Sequence, residues 1–162
     1  MISEAEVRAA LDAVMDPEIP TCSITDLGIV QDVRVDNATL EIDLLPTFAG
    51  CPALDVIKKD VEKAATDLDP TRTVTVRFVN APPWTTDRLS DGGRRALNAY
   101  GISSPVLLQI GQKPTCPFCG STDTAEESAF GPTPCRSIRY CNSCRNPFEG
   151  FKTKLPPAAS DS

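Results

Sequence analysis

Residues 44–57 read Leu-Leu-Pro-Thr-Phe-Ala-Gly-Cys-Pro-Ala-Leu-Asp-Val-Ile, an apolar strand that breaks at Gly50-Cys51-Pro52 and gives way to a helix. Pro52 has no N–H to lose and a preset φ, so it suits the first helical position and puts Cys51 at the N-cap. There the unpaired first-turn N–H groups and the positive end of the helix dipole favour an anion. This predicts a thiol biased towards thiolate, which is both a nucleophile and a metal ligand. The plainer alternative is a small buried residue ending a strand, the usual role of a free cysteine.

Outward from this turn the pattern is that of a small α+β domain. Towards the N-terminus, Ser3 and Glu6 form a capping box, and Val7, Ala10, Leu11 and Val14 recur at helical spacing, which predicts a helix from Glu4 to Met15. Asp16-Pro17-Glu18-Ile19-Pro20 stops it and holds two carboxylates, Asp16 and Glu18, on a stiff loop; a solvated turn would look the same. Residues 29–35 and 38–44 flank Asp36-Asn37, and Leu40, Ile42 and Leu44 alternate with polar neighbours, so a hairpin delivers the chain to Cys51. Beyond Pro52, Leu54, Ile57, Val61, Ala64, Ala65 and Leu68 make one apolar stripe, with Lys58, Lys59, Asp60, Glu62 and Lys63 turned to water. Residues 73–79 read as a third strand, ended by Pro82-Pro83, with Trp84 anchoring that corner to the core. Residues 86–100 hold short helical pieces weakened by Gly92-Gly93, with Gly101 as the C-terminal cap. The order is helix, hairpin, helix, strand, helix over residues 1–102. Residues 103–115, with apolar Val106-Leu107-Leu108, form a linker or docking strand, and the Pro/Ala/Ser-rich residues 155–162 a disordered tail.

Residues 116–154 are a different kind of sequence. Cys116-Pro-Phe-Cys119 and Cys141-Asn-Ser-Cys144 are two C-x2-C pairs with 21 residues between Cys119 and Cys141. Each can form a knuckle with both thiolates aimed at one ion, and two knuckles complete a tetrahedron, as in a zinc ribbon. A segment this short has little core and depends on metal for its fold. Zinc fits as the structural ion. Iron uses the same ligands and would make a rubredoxin-like electron carrier, although a rubredoxin repeats Cys-Pro-x-Cys-Gly where this chain has Cys141-Asn-Ser-Cys144-Arg145. Cys135 is a fifth cysteine nearby, spare or a substitute ligand. Phe130, Phe148 and Phe151 read as the ribbon's small core.

Composition narrows the function. The 162 residues are 41% apolar with net charge −6. Residues 1–111 carry 10 basic and 17 acidic side chains and residues 112–154 carry 6 and 4, so no basic tract remains for nucleic acid once four thiolates bind a divalent ion. No stretch reads as a signal peptide or a bilayer span, which predicts a soluble, cytoplasmic protein whose seven cysteines bind metal or react sooner than form disulfides. Histidine is absent, so a soft-metal tetrahedron must be built from cysteine alone.

Asp16-Pro17-Glu18-Ile19-Pro20, Thr25-Asp26-Leu27-Gly28-Ile29-Val30 and the helix-heading Cys51-Pro52 together resemble the MIP18 (DUF59) family of metal-centre and iron-sulfur assembly factors over roughly residues 4–101. Ala81-Pro82-Pro83-Trp84-Thr85-Thr86-Asp87, Gly93-Arg94-Arg95, Tyr100-Gly101-Ile102 and the ribbon's Pro147-Phe148-Glu149-x-Phe151-Lys152 are similar to one branch, PaaD or PaaJ, a group of accessory proteins of the phenylacetyl-CoA epoxidase system. Cys22 departs from the pattern, in place of an aliphatic residue. The resemblance implies an accessory subunit of aerobic phenylacetate catabolism that matures or assembles the metal centre of a di-iron oxygenase and partners the oxygenase and reductase subunits. The residues agree: no nucleotide loop, flavin pattern or Glu-x-x-His pair equips the chain to be the oxygenase. Cys51, Asp16 and Glu18 are then the candidate metal-transfer site, holding iron or an iron-sulfur cluster transiently, beside structural zinc at Cys116, Cys119, Cys141 and Cys144. A structural adaptor without metal transfer and a rubredoxin-like carrier remain alternatives.

Overall fold

The structure, a computed structural model, describes residues 1–48, 50–103 and 113–151. Helix α1 (Glu4–Leu11) opens the chain, capped by the expected reciprocal Ser3/Glu6 bonds. Strands β1 (Val30–Val35) and β2 (Thr39–Leu44) form the antiparallel hairpin, α2 (Ala53–Leu68) crosses over, and β3 (Thr73–Phe78) returns parallel to β2. The first sheet therefore runs β1-β2-β3 with β2 central. Leu40, Ile42 and Leu44 of β2 are fully buried, and Val7 and Leu11 of α1 with Ile57, Val61 and Ala65 of α2 join them in one core. On the alternate positions of β2, Asp43 accepts from Arg34 Nη1 at 3.0 Å and Arg77 Nε at 2.7 Å, so charges cover the face the helices do not.

A 3₁₀ turn (Thr86–Arg88) and α3 (Asp91–Ala99) follow, then β4 (Ile102–Ser103). The second sheet runs β4-β7-β6-β5, from β5 (Thr124–Ser128), β6 (Arg136–Cys141) and β7 (Pro147–Phe151). Strand β4 pairs parallel to β7, and the Glu149 N–H donates to Gly101 O at 3.1 Å. The ribbon thus takes an edge strand from residues that directly follow α3.

Several expectations needed correction. Helix α1 ends at Leu11, not Met15, because the Val14 carbonyl accepts the Ile24 N–H at 2.9 Å and Met15 bridges Ser23, so tertiary pairing claims the groups another turn would use. Gly92 and Gly93 do not weaken α3; a Cβ at Gly93 would stand 2.6 Å from the Asp26 carbonyl oxygen, so the helix start needs that close approach. Of the three phenylalanines, only Phe148 packs with the ribbon cysteines. Phe130 is 84% exposed, and Phe151 is buried in the larger core. Trp84 anchors its corner as expected, donating from Nε1 to Leu27 O at 2.7 Å, and also meets Phe151 with ring centroids 5.6 Å apart. Gly101, at φ +83°, follows α3 as the cap reading required. Val106-Leu107-Leu108 and the 155–162 tail lie outside the described residues.

The Thr25-Asp26-Leu27-Gly28 stretch holds these parts together. The Asp26 carboxylate accepts from Ser90 Oγ, its carbonyl accepts the Ser90 N–H at 2.9 Å, and Gly28 O accepts from Arg88 Nε at 2.8 Å. Gly28 has φ +68°, and a Cβ there would lie 2.3 Å from the Arg88 carbonyl oxygen. Left-handed backbone costs a side-chain residue about 1–2 kcal/mol, and overpacking about 1–3 more. Gly28→Ala is expected to lower stability by about 3 kcal/mol, read as the urea midpoint.

Candidate functional site

The ribbon knuckles repeat one geometry. In the first, the Gly120 N–H donates to Cys116 O at 2.9 Å and the Cys116 N–H to Ser121 O at 2.9 Å. In the second, the Arg145 N–H donates to Cys141 O at 2.9 Å and the Cys141 N–H to Asn146 O at 3.0 Å. The residue after each pair is left-handed, Gly120 at φ +74° and Arg145 at φ +60°. Sγ of Cys116 lies 3.6 Å from that of Cys144, Cys119 is equally far from Cys141, and all four sulfurs fall within 4.8 Å of one another. A tetrahedron with metal–sulfur bonds near 2.3 Å has edges of about 3.8 Å, so the four cysteines fit one zinc or iron ion. Asn146 Nδ2 approaches Cys144 Sγ at 3.5 Å, the kind of outer bond that orients a ligand. Because Arg145 adopts the backbone a glycine adopts more easily, Arg145→Gly is expected to raise the thermal midpoint, with a gain of about 1 kcal/mol and unchanged metal content.

Cys51 sits where the turn meets α2, but its chemistry differs from the expectation. The helix starts at Ala53, with Pro52 at the N-cap and already helical at φ −67°, ψ −17°. The Ala53 N–H still reaches the thiol and favours thiolate, yet burial outweighs it, and the charges of Glu18, Cys135 and Asp16 push the same way. The Cys51 pKa is therefore raised, not lowered. Magnitudes explain the outcome: a helix end is worth about 0.3–1 kcal/mol, less than one pKa unit at about 1.4 kcal/mol. A 9% exposed thiol among acidic groups loses more than that to desolvation.

The structure does bring Asp16 and Glu18 to Cys51. Asp16 Oδ1 accepts the N–H groups of Glu18 at 2.8 Å and Ile19 at 3.0 Å, which folds the Asp-Pro-Glu loop onto itself. Burial raises the Asp16 carboxyl pKa, and burial together with Asp16 raises that of Glu18. Cys22 also lies in this loop, fully buried, with burial and the Asp26 and Asp16 charges pushing its pKa to about 12; it packs and does not react.

Two residues at this place come from the ribbon and were not foreseen. Cys135, expected as a spare near the knuckles, lies instead in the larger core with Cys51 and contributes to its electrostatics. Arg136 is buried, its Nη2 standing 3.8 Å from Glu18 Oε2, its Nη1 2.6 Å from Glu149 Oε2, and its Nε donating to Thr133 Oγ1 at 2.8 Å. The available signal was Pro134-Cys135-Arg136 itself, a thiol beside a cation. Among the described residues no helix is long and apolar enough to cross a membrane.

Residues 4–78 match the model of the iron-sulfur cluster assembly protein family, and residues 103–152 that of the PaaD zinc β-ribbon domain. A protein of Escherichia coli K12, provisionally named as a component of 1,2-phenylacetyl-CoA epoxidase, is 37% identical over 151 residues, 91% of each chain. The Fe-S protein maturation auxiliary factor YitW of Bacillus subtilis is 39% identical over 97 residues, 59% of this chain and 91% of that one. The crystal structure of a DUF59 domain from Bacillus anthracis superposes with a TM-score of 0.54 at 36% identity, over 58% of this chain and 90% of that one. With an assembly-family first domain, a four-cysteine ribbon and a relative aligned across both, the chain belongs to the PaaD branch of the MIP18 (DUF59) iron-sulfur assembly family.

Proposed function

We propose that this chain matures the metal centre of a di-iron oxygenase of the phenylacetyl-CoA epoxidase type, with Cys51 as the thiol that carries the metal cargo and zinc as the resident ion of the ribbon. The observation that carries the reading is the meeting of Cys51 with Asp16 and Glu18 in a half-closed, proton-loaded site. Among the described residues only the ribbon set has its donor atoms all within 4.8 Å, so the Cys51 group is no finished cage. A delivery site needs that incompleteness, because an ion held by a closed tetrahedron does not leave. The raised thiol and carboxyl pKa values add a second property: the ion must displace protons to bind, and protons help expel it on transfer. The name of the Escherichia coli relative supports an oxygenase of that system as the acceptor. A cargo site that needs reduced thiols suits the cytoplasm. The ribbon's fourfold thiolate ligation leaves no open position, which suits a structural role.

The test is coexpression of the oxygenase subunits with the wild-type chain or with Cys51→Ser, each checked for equal ribbon metal and equal circular dichroism. Oxygenase iron and epoxidase activity are expected to fall at least ~10-fold with the variant, the lower bound for losing even an outer partner of a metal site. Unchanged iron and activity would leave the chain as an adaptor.

A further inference from the structure

The geometry points to Cys135 of the ribbon as the second thiolate ligand of the Cys51 cargo site, so that a ferrous ion is held between the two domains by Cys51 and Cys135 with Asp16 and Glu18 beside them. This rests on the reading of Cys51 as the cargo thiol and adds the ligand that makes the site chelating.

Four observations converge. Cys51 and Cys135 belong to one buried cluster although they lie in different domains, and each is only 9% exposed. Cys135 is positioned by its own loop: Thr133 Oγ1 lies 3.2 Å from its Sγ, and the Arg136 N–H donates to Thr133 O at 3.0 Å. Glu18, on the Asp-Pro-Glu loop, acts electrostatically on both thiols. Arg136 ties that loop to the ribbon through Glu18, while its stronger bond goes to Glu149. Two thiolates and two carboxylates around one guanidinium that is already committed elsewhere form a buried site short of positive charge. Without an ion the shortage is met by protons, and burial accordingly raises the pKa of both thiols. A thiophilic divalent cation meets it better. Binding is balanced: two thiols each lose a proton to solvent, two metal–sulfur bonds form, and the iron stays ferrous. Because one sulfur comes from each domain, a small separation at the junction breaks the chelate and leaves the ion on Cys51 alone, ready to pass on.

The test uses the full chain with its ribbon filled with zinc, titrated without oxygen with cobalt(II), a spectroscopic stand-in for ferrous iron. The wild type is expected to take one further equivalent with thiolate-to-cobalt charge-transfer absorption. Cys51→Ser and Cys135→Ser should each weaken binding at least ~10-fold and halve that absorption per bound ion, while Cys22→Ala changes neither. Full affinity and absorption in Cys135→Ser would overturn the shared site and leave Cys51 as a single-thiol carrier. The same result in Cys51→Ser would remove the cargo reading as well, and no further equivalent in the wild type would overturn the shared site. Iodoacetamide labelling of the wild type guards against misfolded variants: cobalt should slow alkylation of both Cys51 and Cys135, and a Cys135 rate indifferent to the metal overturns the proposal.

Discussion

Cys141→Ser is expected to empty the ribbon and unfold residues 113–151. Among the described residues the ribbon's own buried cluster is Cys116, Cys141 and Phe148, with Cys144 against it. Three of those four are metal ligands, so little apolar burial remains once the ion is gone. Structural zinc sites contribute about 10–16 kcal/mol of binding free energy, far more than one phenylalanine at about 1.5–3 kcal/mol. Serine offers a hard, protonated oxygen where the site needs a soft anion. Atomic emission should find about one metal ion per wild-type chain and none in the variant, and limited proteolysis should cut the variant between the knuckles. The damage should spread, since β7 pairs with β4 and Phe151 fills the larger core. A variant that kept its metal and resisted protease would show that the ribbon stands on something besides these sulfurs.

Trp84→Ala is expected to cost about 3–5 kcal/mol, read from urea denaturation by circular dichroism, and to loosen the ribbon from the first domain. The indole does two jobs. Its N–H satisfies the Leu27 carbonyl, and alanine would leave that carbonyl without its indole donor beside Leu27, which is 1% exposed. Its ring meets Phe151 at an interplanar angle of 50° across the domain boundary. A double-mutant cycle with Phe151→Leu should return a coupling of about 0.5–1.5 kcal/mol. A total cost below about 1 kcal/mol would mean that Trp84 is not the clamp its position describes.

These two residues also show where sequence reading succeeds. The hairpin, α2 and β3 were legible because Leu40, Ile42 and Leu44, then Ile57, Val61 and Ala65, carry periods of two and of about 3.6 that only one face of a strand or helix can satisfy. The knuckles were legible because ligand spacing is local. The end of α1 was not, since Val14 spends its carbonyl on Ile24, a partner no local pattern names. Phe130 and Phe151 look alike in sequence, and only tertiary packing exposes the first and buries the second. Cys51 was found, but its acidity was misjudged, because the helix end is a local feature and the neighbours that outweigh it arrive from the Asp-Pro-Glu loop and the ribbon. The nearness of Cys135 to Cys51 crosses most of the chain and left no trace in spacing.

Strand β6 begins at Arg136, beside Glu18, and ends at Cys141, a ribbon sulfur. It is laddered on both edges, to β5 and to β7, and spans about 17 Å at roughly 3.3 Å per residue. That gap is too wide for one ion to be shared between the sulfurs at its two ends, so the ribbon's ion is a resident and not a passenger. The strand still binds the two places into one thermodynamic cycle. If the shared site holds, filling the knuckles fixes where Cys135 stands, and by reciprocity an ion at Cys135 tightens the grip of the knuckles. Zinc supply then acts as a licence for iron delivery: a chain with an empty ribbon does not present its second thiol.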